Sequence, residues 1–289
     1  MQSKLIVAFL AMASFALTAR SQAQTIGDEL TLVPKYAAVA PLSDEEKASR
    51  LALAEEVANP ISNLASLPLR FTYQDGIGPK HAATVTMLAQ PLIPFILGKD
   101  WNLIVQTNVP FTYAGSVANG VDSTFGLGDT LQGFYVVPTA PGRRGWIFGI
   151  GPVFQWPTAT DDKLGTGRWS AGPTGALVRQ YKGWTYGIVA DQLWSFAGND
   201  SRKDVNTMLL HPLFTYTWPS ATSVTLESDS AYDWIAKQWT VPAQLSISQV
   251  VIRGRHPIQL SLSGRYFAIK PDGGPDWGIR LSVIFLFPN

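Results

Sequence analysis

Trp277-Gly278-Ile279-Arg280-Leu281-Ser282-Val283-Ile284-Phe285-Leu286-Phe287 is the stretch that decides the fold. Trp277, Ile279, Leu281, Val283, Phe285 and Phe287 form one wholly apolar face, and Gly278, Arg280, Ser282, Ile284 and Leu286 alternate with them. A period of two marks a strand, because successive side chains leave opposite faces of a pleated backbone. The aromatic residues stand at both ends of the apolar face. A strand that crosses lipid carries that mark, since transmembrane barrels wear aromatic girdles at both interfaces. An aromatic residue near the end of a terminal strand also resembles the signal read by outer-membrane barrel-assembly machinery, although Pro288-Asn289 follow Phe287 here.

Upstream the pattern repeats. Trp101, Leu103, Val105, Val109, Phe111 and Tyr113 share a face against Asn102, Gln106, Asn108 and Thr112. Trp146, Phe148, Ile150, Phe154 and Trp156 oppose Gly149, Gly151 and Gln155. Met208, Leu210, Phe214, Tyr216 and Trp218 oppose Thr207, His211, Thr215 and Thr217, and Trp239, Val241, Leu245 and Ile247 oppose Thr240, Gln244, Ser246 and Ser248. Twelve such strands are expected, at about 67–74, 82–97, 101–114, 128–139, 145–158, 168–181, 184–197, 205–218, 222–234, 238–252, 257–269 and 276–287. The fourth is irregular around Asp129-Thr130, where a bulge or a shifted start is expected. Tight connections such as Gly98-Lys99-Asp100 and Lys182-Gly183 alternate with longer ones at 115–127, 159–167, 198–204 and 270–275. Short turns at one rim and longer loops at the other are the topology of bacterial outer-membrane barrels. The fold class is therefore all-β: a closed antiparallel transmembrane β-barrel of about twelve strands, with a short N-terminal helical segment. Closure also removes the unpaired edges of an open sheet.

Composition agrees. Of 289 residues, 46% are hydrophobic and only 15% charged, against roughly 25% in ordinary soluble domains, and ten are Trp. The net charge of +1 gives no reason to propose nucleic acid as a partner. The absence of Cys excludes disulfides, thiolate metal sites and Cys nucleophiles. Lys4, the apolar run 5–19 and Ser21-Gln22-Ala23 read as a cleavable signal peptide over 1–23. No later stretch is apolar for long enough to cross a bilayer as a helix. Export and the barrel together place the chain in the bacterial outer membrane, with membrane lipid as its first partner.

Residues 24–66 form a polar segment ahead of the barrel at 67–289. Ser43 and Glu46 fit a capping box, and Asn59-Pro60 stop the helix, so one helix is expected over about 44–58. It is a periplasmic leader or a plug in the lumen, and the leader is the preferred reading.

The alternation places Arg70, Arg265 and Arg280 on the inner face, with Asp191, His211, Glu227, Asp229 and Asp233 inside as well. This sets a basic wall against an acidic one. Such charges give an aqueous pore a transverse field, or they pair and fill the bore. A barrel of twelve strands lies between the filled and the open sizes. A triad around His211, with Ser223, Ser228, Glu227 and Asp229 on the next strand, has no diagnostic spacing. No catalytic residue, cofactor or metal is assigned, and the chain is expected not to be an enzyme. Asp161-Asp162 and Asp272-Gly273-Gly274-Pro275-Asp276 offer carboxylates suited to Ca²⁺ but read as ordinary loop chemistry.

Several segments form an ordered set: Gly126-Leu127-Gly128-Asp129, Gly151-Pro152, Pro157-Thr158-Ala159-Thr160-Asp161-Asp162, Leu164-Gly165-Thr166-Gly167 and Gly172-Pro173. Gln238-Trp239-Thr240-Val241-Pro242 and Pro271-Asp272-Gly273-Gly274-Pro275-Asp276-Trp277-Gly278 complete it. Over about 59–289 the set resembles the meta-pathway phenol-degradation family of exported, transporter-like barrels. The resemblance implies an outer-membrane barrel handling aromatic or other hydrophobic compounds and brings no catalytic residues. The expected function is a channel or transporter for small-molecule solutes. The alternatives are a non-conducting structural or surface-interaction barrel and, ranked last, a barrel enzyme.

Overall fold

The computed structural model describes residues 42–253 and 256–288. The expected signal peptide lies outside them. Fifteen strands form one antiparallel sheet: β1 (Ala65–Ile77), β2 (Ala82–Ala89), β3 (Leu92–Ile96), β4 (Trp101–Ala114), β5 (Thr124–Leu127), β6 (Thr130–Pro138), β7 (Trp146–Trp156), β8 (Arg168–Tyr181), β9 (Trp184–Gly198), β10 (Asn206–Thr217), β11 (Thr222–Glu227), β12 (Ser230–Asp233), β13 (Gln238–Arg253), β14 (His256–Ile269) and β15 (Trp277–Phe287). β2 with β3, β5 with β6, and β11 with β12 are each two halves of one crossing, which makes twelve staves. Each stave pairs with its neighbours in sequence, and β1 pairs with β15 from Ala65↔Phe287 to Asp75↔Trp277, so the sheet closes on itself. The twelve-stave closed barrel is as the alternation requires. Strand four starts earlier than expected, at Thr124, and breaks at Gly128-Asp129.

Proline explains the three breaks. It has no N–H for the ladder and unstitches the strand beside it. Gln90-Pro91, Gly128-Asp129 and Ser228-Asp229 all lie against prolines of neighbouring strands. There Gln90 N donates to Pro68 O at 2.9 Å, Gly128 N to Pro110 O at 2.8 Å, and Ser228 N to Pro212 O at 3.2 Å.

The outer face is apolar. Along β15, exposed Trp277, Ile279, Leu281 and Phe285 alternate with buried Gly278, Arg280, Ser282 and Ile284. Trp101, Trp184 and Trp218 ring the short-turn rim; Trp169, Trp194, Trp234 and Trp277 ring the long-loop rim, and all seven are exposed. At the first rim Lys182 and Gly183 both take positive φ, at 49° and 80°, between paired Tyr181 and Trp184. Both residues of a tight type I′ hairpin need that conformation.

Helix α1 (Asp44–Val57) carries the capping box: Ser43 N donates to Glu46 Oε2 at 3.0 Å and Glu46 N to Ser43 Oγ at 3.1 Å. Asp44, Glu45 and Glu46 suit the positive end of the helix dipole. After the helix, Asn59 Oδ1 accepts from Ile61 N at 3.1 Å and turns the chain toward β1.

Candidate functional site

Among the described residues, the lumen gathers polar side chains on the face turned away from lipid. Its wall on β10, β11, β13, β14 and β15 is hydroxyl-rich. Thr215 bonds Thr225 at 2.8 Å, Thr217 bonds Ser223 at 2.9 Å and Ser246 bonds Ser263 at 2.9 Å. Cross-strand hydroxyl pairs satisfy one another without charge.

At mid-height a chain of charges crosses the bore. Arg280 of β15 donates from Nε to Thr72 Oγ1 at 3.1 Å and from Nη2 to Asp229 Oδ2 at 2.9 Å. Arg265 of β14 reaches the same oxygen at 3.2 Å. The other oxygen of Asp229 lies 3.3 Å from His211 Nδ1, and His211 Nε2 is 4.0 Å from Asp191 Oδ2. Asp191 in turn accepts from the Thr174 hydroxyl on β8. Asp229 reaches this position because it sits in the break between β11 and β12, beside Pro212 and Pro242 of the flanking strands.

The basic and acidic groups therefore meet in one bonded network. Two walls facing each other across water, as one reading of the sequence had it, are not what the structure shows. Arg70 lines a cavity beside Arg280. Glu227 accepts from Gln244 Nε2. Asp233 accepts from Ile235 N and Ala236 N at 2.8 and 2.9 Å, so it holds a turn.

Two spaces flank the network. On the long-loop side an open vestibule of about 820 Å³ is lined by Asp129, Gln155, Thr166, Arg202, Asp204 and Asp233, among others, over Leu193 and Leu209. Asp129 organises this side from the break between β5 and β6. It accepts from Thr166 N at 2.6 Å, Ala159 N at 3.3 Å and Gln155 Nε2 at 3.1 Å. Arg202 ties two loops by donating to Thr166 O at 3.2 Å and Asp162 O at 2.7 Å. On the short-turn side lies a cavity of about 150 Å³ lined by Arg70, Thr215, Glu227, Gln244, Ser263 and Arg280, among others.

The end of the helix and the segment after it close that cavity from below, with Val57, Ala58 and Pro60 on its lining. Ala54 is buried with Leu64, Ala221, Val250, Ile284 and Leu286, of which Val250, Ile284 and Leu286 face inward from β13 and β15. Ile61 is 1% exposed and packs among Ile104, Tyr135, Val137, Ala176 and Val178 of the opposite wall. Asn102 Nδ2 donates to Asn63 Oδ1 at 2.8 Å, and Gln180 Nε2 to Glu55 O at 2.6 Å. Sequence reasoning did not single out this apolar patch. Inward Ile104, Val137 and Val178 were its available signal, since they interrupt an otherwise polar face.

No protein-family model matches the chain, and no curated protein sequence matches it. Solved structures do. The COG4313 outer membrane channel from Pseudomonas putida F1 superposes with a TM-score of 0.61 at 15% identity, covering 79% of this chain and 97% of that one. Outer membrane phospholipase A from Escherichia coli gives 0.46 at 13% identity, covering 82% and 98%. OccAB3 of Acinetobacter baumannii gives 0.33 at 9% identity, covering 78% and 98%. The first of these likenesses supports the fold of an outer-membrane β-barrel for this chain, and the phenol-degradation resemblance stands on the residues quoted for it. These likenesses carry the fold alone, so the expectation that the chain is not an enzyme is withdrawn.

Proposed function

We propose that this protein is an outer-membrane channel for small molecules, aromatic and other hydrophobic compounds among them, whose periplasmic mouth is closed by residues 44–64. One observation carries the reading. The lumen contains two spaces, the vestibule of about 820 Å³ and the cavity of about 150 Å³, and what closes it is a side-chain network between them and an N-terminal segment below. An eight-stranded bore is just wide enough for wall side chains or one small ligand, and twelve strands leave more room.

The patch around Ile61 supports a hydrophobic solute class, because an apolar surface inside a polar lumen is satisfied only by another apolar group. The charged network supports a pore that orients its solute before the patch is reached. Arg70, Asp191, His211, Glu227, Asp229, Arg265 and Arg280 are the lumen groups assigned to that path. A permanently filled structural barrel is the second reading, favoured by the bonds that cross the bore at Asp229.

The test is ion current through reconstituted protein lacking residues 42–63, with phenol or glucose added on the loop side. Interruption of the current by phenol and not by glucose is expected. Current that phenol leaves untouched contradicts the solute class, and absence of current favours the filled barrel.

A further inference from the structure

The barrel wall is thinned at one level, next to the Ile61 patch. Between β6 and β7 the pairing runs to Gly133↔Val153 and resumes only at Val136↔Ile150. Between β8 and β9 it stops at Ala171↔Trp194 and resumes at Thr174↔Asp191. Both lapses have the same cause. Pro152 of β7 and Pro173 of β8 face each other in register, and neither has an N–H to offer the outer neighbour. Glycine fills the gap: a Cβ on Gly151 would lie 1.8 Å from Phe134 O, and one on Gly172 would lie 1.8 Å from Gln192 O.

Two of the other proline-linked breaks aim a carboxylate, Asp129 or Asp229, at a partner. This one aims nothing. In lipid an unpaired backbone group is costly, so two lapses at one level need another reason.

An apolar groove of about 500 Å³ opens there on the lipid side, lined by outward Ile150, Pro173, Gly175, Leu177, Ile188 and Met208. Gly149, Thr174, Ala176 and Asp191 of the inner face line it too. Ala176 also belongs to the patch that holds Ile61, and a Cβ on Gly149 would lie 3.2 Å from Ile61 Cδ1. Lumen patch and outer groove are thus two sides of one thin wall made of Gly149, Gly175 and Ala176.

We infer that this glycine–proline window is a lateral passage by which small apolar solutes leave the Ile61 patch for the bilayer without crossing the polar periplasmic half of the lumen. The inference rests on the channel reading and specifies its exit. A solute enters from the vestibule, takes the place of the Ile61 side chain, and moves outward where the wall is thinnest, past the Ala176 methyl and the Gly149↔Ala176 and Ile150↔Gly175 rungs, which must part between the two flanking lapses. Burial of apolar surface is continuous along that path. Beyond the patch, the way to the periplasm runs past Arg70, Glu227 and a hydroxyl wall, which would make an apolar solute give up that burial.

The test uses cells expressing the full-length chain and phenylnaphthylamine, an apolar dye that fluoresces on entering lipid. Gly175 points into the groove, and a Cβ there meets only Gly149 O at 3.8 Å, so Gly175→Phe fills the window without a backbone clash. Ala190→Phe, on the paired position of β9, is an independent filler should Gly175→Phe not assemble. Expected are dye entry faster than in cells without the protein, further acceleration by Ile61→Ala, and entry at the background rate with either filler. Fillers that leave dye entry unchanged while Ile61→Ala still accelerates it overturn the lateral passage and spare the channel. Fillers that abolish the ion current of the plug-free protein along with dye entry also overturn it, since they have closed the pore itself. Wild-type entry at background rate overturns the passage, and the ion current then decides the channel reading separately.

Discussion

Asp229 Oδ2 lies 2.9 Å from Arg280 Nη2 and 3.2 Å from Arg265 Nη2, so one carboxylate oxygen holds two guanidinium groups of adjacent strands. Arg265 and Arg280 are almost wholly buried, at 6% and 9% side-chain exposure respectively. Removing one partner of a buried pair leaves uncompensated charge, at a cost of about 3–5 kcal/mol. Asp229→Asn should therefore lower barrel stability by that order, read as a shift in the urea midpoint of folding into detergent micelles. A shift below about 1 kcal/mol, the range of exposed pairs, would mean that water screens the arginines.

Leu281 stands at the centre of β15 and faces lipid, while Phe287 ends the same strand at the short-turn rim. Arginine on the lipid face costs about 2–4 kcal/mol at the bilayer midplane and about 0–1 near the interfaces. Leu281→Arg should be strongly destabilising and Phe287→Arg nearly neutral in the same assay. Equal costs at the two positions would contradict the placement of β15 across the membrane.

Glu56 Oε1 accepts from Asn63 N at 3.1 Å. Burial raises the Glu56 pKa above the ordinary glutamate value, against the lowering effect of that bond. A carboxyl raised in this way favours the docked segment most when protonated. Docking is then strongest below the undocked value and weakens as pH rises through the docked one. Labelling of Ser62→Cys by a thiol reagent should therefore speed up with pH more steeply than thiol ionisation accounts for. Glu56→Gln should remove that excess; a Gln variant with the same profile would show that Glu56 does not set it.

Three loop carboxylates shift the other way. Asp161 is lowered by bonds from Lys163 N at 2.8 Å and Thr124 Oγ1 at 2.7 Å, Asp204 by Arg168, and Asp276 by Lys270. A depressed pKa contributes stability above the unfolded value and loses it as pH falls through the folded one. The long-loop rim should resist pepsin until the pH drops below the ordinary aspartate value, then be cut within 157–167 and 199–205. Cutting at higher pH would mean that these bonds do not order the loops.

The wall of this barrel is legible in sequence because lipid outside and water inside force a period of two. β15 and β13 show it residue by residue, and tryptophans mark the rims. The breaks are less legible, because a proline acts on the strand beside it. Nothing local to Ser228-Asp229 shows Pro212 and Pro242 on either side. Parity puts Arg265, Arg280 and Asp229 on the inner face, but their meeting depends on strand stagger, which alternation does not encode. The capping box at Ser43 and Glu46 announces α1. Ile61 follows the helix in a stretch without periodicity, so only inward Ile104, Val137 and Val178, apolar where the face is otherwise polar, mark its seat in the sequence.

Single-channel conductance in a planar bilayer, measured for the mature chain and for the same chain without residues 42–63, tests most directly whether a pore lies under the N-terminal segment. Brief or absent openings in the first and steady current in the second are expected. Equal conductance in both, or silence from protein shown to be inserted, would contradict a lumen closed by that segment.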